Sequence, residues 1–76
     1  MYNPISCEFF DQLDIAIKRK IPSTIIYFNN EEILTTKGLV NTLIVIEGKE
    51  YLVLDNKQKI RLDLIIYFNG KKYIEI

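Results

Sequence analysis

The chain predicts a mainly β fold with one N-terminal α-helix. Three observations point there. Apolar residues recur at helical spacing only over residues 7–20. From Thr24 onward β-branched and aromatic residues dominate, broken by short turn signals. The whole chain is 76 residues long, enough for one domain, here expected over 1–76. One helix at about 7–20 and about five to six short antiparallel strands at about 23–76 suggest a small, strongly bent sheet or barrel.

The helix is expected over CEFFDQLDIAIKRK, with Ser6 as its N-cap. Glu8, Asp11 and Asp14 lie in its early and middle turns, and Lys18, Arg19 and Lys20 close it, which suits the helix dipole. Pro22 blocks continuation. At 100° per residue, Phe9, Phe10, Leu13, Ala16 and Ile17 share one face. Glu8, Asp11, Gln12, Lys18 and Arg19 lie opposite with Asp14 at the flank, and Ile15 projects from this polar face.

Strands are expected near 23–28, 31–36, 39–46, 50–54 and 59–68, with a last short one at 72–76. Asn29-Asn30, Glu47-Gly48-Lys49, Asp55-Asn56-Lys57 and Asn69-Gly70 are the turns, and Gly38 marks a bend or bulge. In 59–68 the first half alternates apolar and polar residues, whereas the second half is apolar on both faces and calls for a cover, the helix. The pentapeptide IIYFN occurs at 25–29 and again at 65–69. The flanking sequence does not match, so this is no duplicated unit. Both copies are read as strand ends entering Asn-led turns. Ile26, Phe28, Ile66 and Phe68 are expected inward, and Ile25, Tyr27, Ile65 and Tyr67 outward.

Composition narrows the function classes. The chain is 49% hydrophobic and 26% charged, which is a folded rather than a disordered balance. Ten basic and ten acidic residues cancel, so the global basic excess of a dedicated nucleic-acid binder is missing. With one cysteine and no histidine there is no intramolecular disulfide, no catalytic triad and no standard zinc site. No phosphate-binding glycine loop appears. Glu31-Glu32 alternates across a strand, so its carboxylates point apart. A non-enzymatic protein without cofactor or metal is expected. Without a signal-like segment or a long apolar run, a cytoplasmic protein that does not enter a membrane is expected.

Two groups of residues are candidate sites. The acidic helix face, Glu8, Asp11, Gln12 and Asp14 with Ile15, would suit a basic protein partner. Lys57, Lys59 and Arg61 with Tyr67 form a small basic and aromatic group that would suit RNA in an alternative reading. Cys7 at the helix start is read as a small buried hydrophobe rather than a reactive thiol.

YNPISC at 2–7 followed by FFDQLDIA at 9–16 resembles the opening of the Rho-binding antiterminator (Rof) family, and EYLVL at 50–54 followed by IRLDLI at 60–65 resembles its second signature. The resemblance runs from Tyr2 to about Phe68. It implies an Sm-like, SH3-like bent barrel behind an N-terminal helix. It also implies a partner, the transcription termination factor Rho, whose RNA binding the protein would obstruct, reducing Rho-dependent termination. Glu8 and Asp11 stand at the family's acidic positions, Asp14 replaces a glutamate, and Arg61 and Asp63 match its Arg-Leu-Asp element, read as structural. Alternative readings are an Sm-like RNA-binding module, or an interaction domain for an unknown partner, as monomer or dimer.

Overall fold

The computed structural model describes residues 7–73. Expectations for Ser6, the segment before it, the Cys7 side chain and the strand beyond Tyr73 lie outside the described residues. Helix α1 spans Cys7–Arg19. Seven strands follow: β1 (Ser23–Asn29), β2 (Glu32–Gly38), β3 (Val40–Ile46), β4 (Lys49–Leu54), β5 (Lys59–Arg61), β6 (Ile65–Phe68) and β7 (Lys71–Lys72). They form two antiparallel sheets, in the orders β2-β1-β6-β7 and β3-β4-β5. The sheets are joined twice. β2 runs into β3 with a break only at Leu39, next to Gly38, and β5 runs into β6 through a 3-10 turn at Leu62–Leu64.

The helix follows its sequence pattern. Phe9, Leu13 and Ala16 are buried, Phe10 and Ile17 pack on the core from the edge, and the charged residues are exposed. Lys20 adopts a left-handed φ of 52°, ending the helix one residue after Arg19 and two before Pro22. The buried face meets Ile25, Leu52, Leu54, Leu62 and Ile65, all at most 1% exposed.

Among the described residues the longer loop 55–58 joins β4 to β5. The other three hairpins use two-residue turns, framed by the pairs Asn29–Glu32, Ile46–Lys49 and Phe68–Lys71. In each, both turn residues have positive φ, as the right-handed strand twist favours. The first turn is Asn30-Glu31, one residue later than expected, with Glu31 at φ 70°. An L-residue with a long side chain is disfavoured there by about 1–2 kcal/mol. Part of that penalty is offset by the freedom glycine loses on folding. Glu31→Gly is therefore expected to stabilise the protein by about 0.5–1 kcal/mol, read as a rise of a few degrees in the thermal midpoint.

Several strand expectations are corrected. Residues 59–68 are not one strand: the 3-10 turn hands the chain from one sheet to the other, which raises the strand count to seven among the described residues. Arg61 Nε and Nη2 donate to the two carboxylate oxygens of Asp63 at 2.5 and 2.7 Å. This forked pair braces the turn from within. The first IIYFN copy faces the other way. Ile25 and Tyr27 are buried, while Ile26 and Phe28 are part-covered on the outer side. In the second copy Ile65 and Ile66 are both fully buried. The cause is a register shift: Ile26 pairs with Tyr67 but Tyr27 pairs with Ile65, leaving Ile66 as the extra residue of a bulge. The two copies are thus partners in one ladder, β1 against β6. The expected cover over this stretch is partly present, with the Phe9 ring 5.7 Å from that of Phe68.

Asn69 ties the ladder's end. Its side-chain oxygen accepts the Thr24 N–H at 2.9 Å, and its own N–H donates to Thr24 O at 2.8 Å. It also holds a left-handed φ of 52° at low cost.

Candidate functional site

Helix periodicity places the five predicted residues on the solvent side of α1. Glu8, Asp11, Gln12, Asp14 and Ile15 are all exposed, Ile15 at 42%. The face is held in place because Phe9, Leu13 and Ala16 anchor the opposite side in the core. Its carboxylates differ in partners. Glu8 forms an ion pair with Lys71 of β7, and Asp14 pairs with Lys18 one turn on, at 2.9 Å. Asp11 makes no ion pair among the described residues, and Gln12 and Ile15 flank it. Among the described residues the arrangement is an exposed surface on one side of a helix.

The second predicted group is spread over more than one element: Lys57, Lys59 and Arg61 lie in the loop after β4 and on β5, and Tyr67 lies on β6. Lys57 sits in the turn after β4 with φ 72°, Lys59 is exposed on β5, and Arg61 is engaged by Asp63. Tyr67 belongs to β6 in the other sheet, opposite Ile26 and Lys72.

Sequence reasoning missed two features. The Tyr27 hydroxyl accepts a hydrogen bond from Gln58 Nε2 at 2.8 Å, and Thr36 Oγ1 donates to Gln58 Oε1 at 3.3 Å. Gln58 therefore ties β1 and β2 to the loop after β4; nothing in the local pattern of that loop signals it. Tyr73 stacks on Phe9 with ring centroids 4.2 Å apart and 12° between planes, and its N–H donates to Ile66 O at 2.8 Å. Lys71 Nζ lies 5.6 Å above the same ring.

Burial pushes the Tyr73 phenol above its ordinary pKa. The folded state thus favours the neutral phenol. Its contribution is intact below the unfolded value of about 10 and is lost as pH rises through the folded value. Tyr73→Phe is expected to flatten that part of the alkaline fall in stability, measured by urea melts on either side of pH ~10.

A shallow cleft of ≈ 370 Å³ opens where the end of α1 meets the start of β3, lined by Ile17, Lys20, Leu39, Val40, Asn41 and Asp55. Among the described residues no group of three His, Cys, Asp or Glu side chains could hold a metal ion, and no helix is long and apolar enough to cross a membrane. No protein-family model matches the chain, and no curated protein matches it.

Proposed function

We propose that this protein is a non-enzymatic ligand of the transcription termination factor Rho. It docks through the exposed acidic face of α1 and obstructs RNA engagement, so that Rho-dependent termination falls. The observation that carries the reading is the face itself: Glu8, Asp11, Gln12, Asp14 and Ile15 stand together in solvent on a helix whose other side is locked in the core. The ordered signatures YNPISC, FFDQLDIA, EYLVL and IRLDLI give the face its partner by resemblance.

The physical logic is competition for basic groups that otherwise hold phosphates. Asp11 supplies a carboxylate that makes no ion pair among the described residues. Glu8 and Asp14 exchange Lys71 and Lys18 for cations of the partner, and Ile15 gives an apolar contact. Both internal bridges are solvent-exposed and hold their carboxylates weakly, by about 0–1 kcal/mol each. Charge complementarity of this kind contributes mainly to association rate and specificity, and it weakens as salt rises. Arg61 and Asp63 serve the fold by bracing the 3-10 turn.

The test is a competition between this protein and labelled RNA for purified Rho. RNA is expected to be displaced at low salt, with the effect fading at higher ionic strength. Undiminished RNA binding under saturating protein at low salt would sink the reading.

A further inference from the structure

We propose that Asn69 is a modification site: it deamidates spontaneously through Gly70, and the β1–β6 ladder restrains this reaction in the folded chain. Asn69 is the only asparagine of the sequence that is followed by glycine. Both residues are exposed, in the two-residue turn between β6 and β7, with φ of 52° and 86°. Glycine allows the close backbone approach that this chemistry needs, because no side chain shields its N–H. A Cβ added at Gly70 would meet nothing within 4 Å. Among the described residues no turn or loop hydrogen bond engages the Gly70 N–H. Asn29, Asn30, Asn41 and Asn56 precede asparagine, glutamate, threonine and lysine instead.

The step is an intramolecular acyl transfer. The Gly70 backbone nitrogen gives its proton to hydroxide and attacks the side-chain Cγ of Asn69. The Cγ–Nδ2 bond breaks, and Nδ2 takes a proton from water and leaves as ammonia. One water molecule then opens the cyclic imide. Breaking the new bond from Cγ to the Gly70 nitrogen leaves an aspartate. Breaking the bond from the Asn69 main-chain carbonyl carbon to that nitrogen leaves an isoaspartyl linkage, whose backbone runs through Cβ and Cγ.

The fold holds the electrophile. Asn69 Oδ1 accepts the Thr24 N–H at 2.9 Å, and Nδ2 donates to Ser23 Oγ at 3.4 Å. Both partners belong to β1, so the carboxamide is turned across the ladder. The Asn69 N–H donates to Thr24 O at 2.8 Å and fixes the main chain of the same residue. Attack on Cγ needs the carboxamide plane to turn toward Gly70, and these bonds open first. Ser23 is fully buried, so they open with the end of the strand, as a local unfolding event. The two products then differ. An aspartate still accepts the Thr24 N–H, and its second oxygen accepts the Ser23 hydroxyl that otherwise reaches Ile21 O at 3.4 Å. An isoaspartyl linkage adds an atom to the main chain of a turn whose length sets the Phe68–Lys71 and Tyr67–Lys72 register. β7 then parts from β6, and the Lys71–Glu8 ion pair and the Tyr73–Phe9 stack are lost with it.

Peptide mapping by mass spectrometry tests the proposal, with the full chain incubated at mildly alkaline pH both folded and in urea. In urea Asn69 is expected to deamidate before any other asparagine. In the folded chain the same conversion is expected to be slower by about tenfold or more, because it waits for local opening. Ser23→Ala removes the partner of Nδ2. Well below its thermal midpoint it is expected to speed the folded conversion about threefold and to leave the rate in urea unchanged. The isolated isoaspartyl form is expected to melt several degrees below Asn69→Asp, which keeps the turn. Another asparagine reacting first in urea overturns the site. Equal rates folded and unfolded, or a folded rate that ignores Ser23→Ala, overturn the restraint by the ladder. An isoaspartyl form that melts together with Asn69→Asp overturns the release of β7.

Discussion

Phe9→Ala is expected to remove most of the stability of this protein. Phe9 is 1% exposed, stacks on Tyr73 and contacts the Phe68 ring. A Phe→Ala change in a core costs about 3–5 kcal/mol. A domain of this size has a total of roughly 4–11 kcal/mol, from the usual stability per residue. The helix, β6 and the segment after β7 all meet at this ring, so its loss uncouples three parts of the fold at once. A urea melt should show the midpoint collapse, with a much smaller shift for Phe10→Ala at the core's edge. Equal shifts for the two would contradict the helix orientation described here.

The second large effect concerns binding. Glu8→Lys combined with Asp11→Lys is expected to weaken competition for Rho by about 100-fold or more, because like charges then face a basic surface. The fold should survive. The exposed bridge from Glu8 to Lys71 contributes about 0–1 kcal/mol, and the acidic first turn about 0.3–1 kcal/mol through the helix dipole. Thermal melts of the double variant check this directly. Lys57→Glu with Lys59→Glu, in the turn after β4 and on β5, should leave competition intact. The contrast separates a docking face from a general charge effect.

The helix was legible because its two faces differ in kind: Phe9, Leu13 and Ala16 against Glu8, Asp11 and Gln12. Asn69-Gly70 was legible because its turn chemistry is local. The strands containing IIYFN were not. With isoleucine, tyrosine and phenylalanine on both faces, alternation carries no sign, and the phase of β1 depends on its partner β6. The bulge that leaves Ile66 as the extra residue between Ile65 and Tyr67 exists only in that pairing. The 3-10 turn at Leu62–Leu64 hides within an alternating pattern that reads equally well as strand, because Leu62 is buried either way. The candidate site fared similarly. The exposed face of α1 follows from one helix's own periodicity. That Tyr67 belongs to a different sheet from Lys59 and Arg61 follows from the handover between sheets, a property of the whole topology. Asn69 holding Thr24, and Gln58 joining Tyr27 to Thr36, are likewise contacts across long sequence distances with no local signature.

The central claim is that the acidic face of α1 is the surface that meets Rho. The most direct measurement is a titration of isotope-labelled protein with Rho, followed by residue-resolved NMR. Signals of Glu8, Asp11, Gln12, Asp14 and Ile15 should shift or broaden first, at low salt, while those of Lys57, Lys59, Arg61 and Tyr67 remain in place. An unperturbed spectrum, or changes centred on Lys57, Lys59, Arg61 and Tyr67 with the helix silent, would contradict the account.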